Sequence, residues 1–308
     1  MNKRLTRSDY LFALLFIFML FCTLGAFFYG LKLGADRTEA RYEQQRKAEE
    51  TASKGLTAYH QSYLVSFYHT IYLPYKDFQN KWFQDLASIE SGGSSVDPSS
   101  LLKELAKLAE EKEKSLEAGS APETSPLLQS AHQKYKQSLT LFHDGADSLR
   151  SKSGSARGSA LLSQIQADRT IAEAQKLALQ AQKDYFDAIV KWNEKDSGPP
   201  AGMELLKQEA ISIADWDRMN LNLKNDYMAS RMAAGRLFED YMPQDLASRV
   251  DEMIKTGQAK KMNAADIPRL IEALTATNAV RAGDFLKNKP KWYMKEPLPQ
   301  LPFFTASN

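Results

Sequence analysis

The stretch "LLQSAHQKYKQSLTLFHDGADSL", residues 127–149, carries two interleaved series of side chains at sevenfold spacing. Leu128, Tyr135, Phe142 and Leu149 form one series, and His132, Leu139 and Ala146 fall between them. An α-helix turns once in about 3.6 residues, so this spacing gathers both series into one seam along the helix. Such a seam has to be buried against other helices, and it predicts a helix in a bundle or coiled coil. Gly145 weakens the helix without contradicting it.

Working outward, the same logic recurs. Ile171, Ala174, Ala178, Ala181, Tyr185, Ala188 and Trp192 alternate three and four apart, with alanines that admit a close neighbour. Upstream, Leu101, Leu102, Leu105 and Leu108 form a stripe on a helix expected to begin behind Pro98. The segment "SIADWDRMNLNLKNDYMASRMAAGRLFEDY", residues 212–241, reads as one long helix opened by Ser212 and Asp215. Pro243 suits the start of a shorter helix, and Asn263 or Asp266 can cap a last one carrying Leu270, Leu274 and Val280. Gly-, Ser- and Pro-rich stretches separate these elements. No stretch alternates with period two, so a sheet is not expected.

The N-terminal part has a different character. Tyr10 to Leu31 is a run of 22 uncharged residues. At about 1.5 Å per residue it would reach roughly 33 Å, enough for the hydrocarbon core of a bilayer. The chain's single cysteine, Cys22, lies inside the run, preceded by Leu20 and Phe21 rather than by the small residues of a lipoprotein leader. The run also exceeds the apolar core of a cleaved signal peptide in length. It is therefore expected to be an uncleaved signal-anchor, a single-pass transmembrane helix with the bilayer as partner. Lys3, Arg4 and Arg7 before it would keep the N-terminus cytoplasmic. Ala26, Gly30 and Gly34 repeat at the spacing of transmembrane helix pairing.

The fold expectation is all-α: a transmembrane helix continuing into a helical stalk, then an antiparallel helical bundle. Its parts are a tail over residues 1–9, an anchor over 10–31, a stalk over 32–55 and a bundle over 56–241. A helical hairpin over 242–289 would pack on the bundle, and a Pro-rich extended tail would close the chain over 290–308. On this reading the protein sits in a cell membrane, with its body extracytoplasmic, on a bacterial cell envelope.

Chemistry is sparsely signalled. The composition is 43% hydrophobic and 25% charged with a net charge of +2, which is globular and offers no strong pull toward nucleic acid. None of the four histidines, His60, His69, His132 and His143, sits in a metal-binding spacing, and phosphate-cradling, hydrolase-elbow and paired-cysteine motifs are absent. No cofactor and no enzymatic activity are expected. A helix-turn-helix reading of residues 243–288 fails on its long turn. What remains is an anchored, non-enzymatic bundle acting through a protein partner or self-association, as an interaction, sensory or scaffolding module. The alternatives are a cytoplasm-facing membrane regulator, or a tethered ligand receptor or enzyme. The last would use the aromatic face of residues 59–83, where Tyr59, Tyr63, Phe67, Tyr75, Phe78 and Trp82 keep helical spacing on either side of Pro74. Pro74 itself is expected to kink or break that helix.

Overall fold

The computed structural model describes Met19 and residues 58–91, 97–152 and 158–305. The chain divides into two units, Met1–Thr57 and Ala58–Asn308, so the expected bundle and C-terminal hairpin belong to one unit. Among the described residues the architecture is all-α, with no strand beyond an isolated bridge between Ser212 and Asp266.

The expected membrane anchor over 10–31 is corrected, together with the single-pass, cell-membrane localisation built on it. Among the described residues no helix is long and apolar enough to cross a membrane. The longest helices, Pro126–Lys152 and Arg169–Ser197, have sufficient reach but carry many charged residues. The segment 10–31 itself lies outside the described residues, Met19 excepted, as do Lys3, Arg4, Arg7, Ala26, Gly30, Gly34 and the stalk over 32–55.

Within residues 58–305, helix α1 (Gln61–Phe67) runs through a π-helical turn, Tyr68–Tyr72, into α2 (Leu73–Glu90). The expected break at Pro74 does not occur. Pro74 has no N–H to offer the carbonyl four residues back and its ring would crowd that turn; the wider π turn just ahead of it takes up the mismatch. The turn has a second effect. Tyr75 lies eight residues after Phe67, which in a regular α-helix would leave the two rings about 80° apart around the axis. The π turn takes up most of that offset, and both rings are buried.

Helices α3 (Pro98–Glu117), α4 (Pro126–Lys152), α5 (Gly158–Ala167) and α6 (Arg169–Ser197) follow. Asp97 caps α3 ahead of Pro98, and Asp168 caps α6. Pairings between helices give their directions. Lys112 of α3 bonds to Asp77 of α2 at 2.9 Å, Lys136 of α4 to Glu117 of α3 at 3.1 Å, and Lys134 of α4 to Asp184 of α6 at 2.6 Å. In the first two pairs an earlier residue of one helix meets a late residue of the other, and late Gly145 of α4 lies against Ile171 at the start of α6, so these neighbours run antiparallel. Gly145 brings α4 close to α6: a Cβ there would stand 2.5 Å from Ile171 Cδ1. The seam residues Leu128, Tyr135, Leu139, Phe142, Ala146 and Leu149 are all buried, as is the Ile171-to-Trp192 stripe.

The expected long helix over 212–241 is two helices, α7 (Ile213–Trp216) and α8 (Leu221–Gly235). Asn220 interrupts it by accepting the Leu223 N–H on its side-chain oxygen, which starts a new helix there. Arg236, in the left-handed region at φ 54°, ends α8, and residues 237–242 leave it as a loop. Next come α9 (Pro243–Lys255), α10 (Gln258–Lys261), α11 (Ile267–Ala276) and α12 (Asp284–Trp292). Helix α12 contains Pro290, so the tail starts later than expected. That tail is tied down rather than free: Phe303 packs between Tyr68, Tyr72, Tyr185 and Phe186 at ring separations of 5.6, 5.9, 6.2 and 6.1 Å.

Phe142, 1% exposed, touches Phe78 and Trp82 at 4.9 Å each and Phe238 at 5.8 Å. Phe142→Ala is expected to cost about 3 to 5 kcal/mol of unfolding free energy in a urea titration; a loss below about 1 kcal/mol would show that these rings are not the packed centre of the bundle.

Candidate functional site: an acidic-rimmed groove beside the aromatic core

The sequence singled out one aromatic face, and the structure turns most of it inward. Phe67, Tyr75, Phe78 and Trp82 are buried, while Tyr59 and Tyr63 are half-buried. Tyr75 lies 4.3 Å from the Tyr135 ring and shares a 3.1 Å hydrogen bond with Ser138, whose hydroxyl also donates to the Ala174 carbonyl. The cavity beside these rings, bordered by Tyr75, Gln79, Tyr135 and Phe238, measures about 10 Å³. That is room for about one water, so the face encloses no ligand-sized space there.

A larger concavity lies along the outer side of α2. It measures about 400 Å³ and is lined by Phe83, Leu86, Ala87 and Glu90 of α2, Leu162 and Gln166 of α5, Glu239 and Asp240 of the loop after α8, and Asn278 and Arg281 of the turn after α11. Its base is apolar and its rim is polar. Three interactions position the acidic loop. Phe238 stacks on Phe83 at 5.4 Å, the Gln79 amide donates to the Glu239 carbonyl at 2.7 Å, and the Lys76 ammonium donates to the Asp240 carbonyl at 2.9 Å. With the backbone held from α2, the Glu239 and Asp240 side chains are left on the rim. Arg281, the cation of the lining, turns its guanidinium onto its own turn, donating to the carbonyls of Asn278 and Val280 and to the Asn278 side-chain oxygen.

The electrostatics under this loop are unusual. Burial pushes the Glu239 carboxyl up, and the neighbouring Asp240 adds to the effect. Burial pulls the Lys76 ammonium down to about 8, although Asp240 and Asp245 attract it. Asp245, at the start of α9, accepts the N–H groups of Met242, Gly283 and Phe285 at 3.0, 3.1 and 3.0 Å. Burial outweighs those donors and raises its carboxyl to about 6. One carboxylate thus closes the N-terminus of α9 and clamps the start of α12 to it.

A second polar centre is sealed inside. Asp251 accepts from Trp216 Nε1 at 2.7 Å, from the Lys224 ammonium at 2.9 and 3.2 Å, and from the Tyr293 hydroxyl at 2.6 Å. Lys224 also sits 5.1 Å from the centre of the Trp216 ring. Burial, then the Asp251 charge, holds the Tyr293 phenol protonated far above its ordinary range. Asp251 is wholly inaccessible and Lys224 is 7% exposed, so this centre pins α7, α8, α9 and the tail together and meets no substrate. Lys224 stands in a stretch, residues 221–229, where every residue is buried.

His132 donates from Nε2 to the Leu116 carbonyl at 2.8 Å, and burial lowers its pKa. Among the described residues no group of His, Cys, Asp and Glu could hold a metal ion. Glu239, Asp240, Arg281 and Lys76 did not stand out in the sequence, where nothing in their spacing links them.

Lys224→Met strands a buried carboxylate, and urea unfolding should register a loss of about 3 to 5 kcal/mol; a variant within about 1 kcal/mol of wild type would mean that the pin is dispensable. Asp245 makes a pH signature. Its folded pKa lies above that of free aspartate, near 3.9, so its stabilising contribution is complete below about pH 4 and disappears as pH rises through about 6, a change of about 3 kcal/mol. Asp245→Asn should remove that component from the unfolding free energy measured between pH 4 and 6.5, and an unchanged profile would contradict the assignment.

No family model, curated protein or solved structure matches this chain, and the functional reading rests on this geometry.

Proposed function

We propose that this chain is a non-enzymatic, antiparallel helical-bundle protein that works by contact with another protein, as an interaction or scaffolding module. The groove between α2, α5 and the two turns is its contact surface. One observation carries the reading: the groove joins an apolar base, Phe83, Leu86 and Leu162, to a rim of carboxylates on a loop tied down from α2. Apolar centre with polar rim is the composition of a protein-binding surface. The buried ionisable groups support a non-catalytic role, because Asp251, Lys224 and Tyr293 satisfy one another out of reach of any substrate. The burial of Phe67, Tyr75, Phe78 and Trp82 gives the receptor-or-enzyme alternative on that face no support.

Site-specific photo-crosslinking in the cells that make the protein tests this. A photoreactive residue at Leu86 or Leu162 is expected to yield a discrete protein adduct, whereas one at exposed Gln137 on α4 should not. An adduct at twice the chain mass would identify the partner as a second copy. Absence of any adduct from the groove, or equal yields from all three positions, would overturn the reading.

A further inference from the structure

We propose that the groove along α2 receives a basic amphipathic helix of a partner protein, with its apolar residues on Phe83, Leu86 and Leu162 and its lysines or arginines against Glu90, Glu239 and Asp240. This rests on the reading of the groove as a protein-contact surface, and adds the chemistry of what fits it.

Three observations point to a cationic occupant. Among the described residues, no Lys, Arg or His forms an ion pair with Glu90, Glu239 or Asp240, while Asp77, Asp184, Glu117 and Glu252 each hold one. Arg281 is near enough to line the same groove, yet its Nη1 donates to Asn278 and Val280 and, among the described residues, it forms no ion pair with a rim carboxylate. Lys76, beneath the loop, is engaged by the Asp240 carbonyl and the Gln79 side chain rather than by either carboxylate. Among the described residues the rim carboxylates therefore have no cationic partner, with Glu90 and Asp240 exposed and Glu239 half-buried, and the backbone of 239–240 is already fixed in place.

Shape favours a helix over an extended strand. Among the described residues no sheet edge borders the groove, so an extended peptide would find no ladder of backbone partners there, while a helix satisfies its own backbone and offers apolar anchors at i, i+3, i+4 and i+7. The α2 lining from Phe83 to Glu90 spans about 10 Å, which matches two turns of such a helix. Charge complementarity at a rim acts on association and its salt dependence more than on the burial of the apolar base.

The full chain would be titrated into a fluorescein-labelled helical peptide of about five turns, bearing leucines at those four positions and lysines on the flanks, read by fluorescence anisotropy. Its counterpart carries glutamates in place of the lysines. Binding of the lysine peptide should weaken steadily as salt is raised, and the variant Glu90→Gln, Glu239→Gln, Asp240→Asn should bind it about tenfold more weakly. Circular dichroism checks that the variant folds; Asp240→Asn alone, at an exposed position, supplies the same comparison with a smaller loss if it does not. Equal binding of both peptides, or no loss in the neutralised variant, would overturn the proposal. Displacement of the lysine peptide by equimolar spermidine would overturn it too, and assign the groove to small polyamines. Crosslinking at Leu86 without lysine-peptide binding would retain the protein-contact reading and remove the basic partner; failure of both would remove both.

Discussion

The constraint on which the rest of the molecule depends is the docking of the aromatic rings of α1 and α2 onto α4 and α6. Tyr72, Tyr75, Phe78 and Trp82 meet Tyr135, Phe142 and Tyr185 with ring separations from 4.3 to 6.2 Å. Large rings supply much apolar area for few torsions, and offset or tilted contacts between them add to the energy of burial. Three of the tyrosine hydroxyls have named partners. Tyr185 donates to the Leu64 carbonyl, Tyr75 pairs with Ser138, and Tyr72 donates to the Met242 sulfur. The π turn at Tyr68–Tyr72 keeps this array continuous, since it brings the Phe67 and Tyr75 series into phase around Pro74.

From this array the remaining elements take their places. Phe238 inserts from the loop after α8 and Phe303 from the C-terminal tail, so segments far apart in the chain are drawn to the same ring system. The groove is a consequence. Phe238 stacks on Phe83, Gln79 and Lys76 of the same helix hold the next two carbonyls, and the carboxylates of Glu239 and Asp240 are carried to the rim beside α5 and the turn at Asn278–Arg281. The C-terminal helices are joined by charge rather than by rings. Asp251 binds three donors at once and Asp245 binds three N–H groups, and a buried carboxylate with several donors fixes geometry closely because each donor left unpaired would be costly.

Much of the bundle was legible in the sequence, because helical periodicity is a local property. The Leu128-to-Leu149 series and the Ile171-to-Trp192 series each name their own buried face, and Phe142 and Trp192 are buried as their positions in those patterns implied. Local signals failed where two of them competed. Pro74 reads as a break unless a π turn precedes it, and the apolar spacing across residues 212–241 conceals the capping role of Asn220. The apolar run at 10–31 carried a membrane placement in the sequence that the described helices do not share.

The amino-acid pattern by itself determined the helical class, the approximate extent of α3, α4 and α6, and which of their faces are buried, since each follows from spacing within about 30 residues. Only the tertiary structure decided where the acidic loop, the Asn278–Arg281 turn and the Pro-rich tail come to rest. Those positions depend on a few rings and carboxylates meeting partners far away in the chain, as Phe303 meets Tyr68. No periodicity records such a meeting. It follows from the closing of the chain around one core, and the candidate site is a product of that closure.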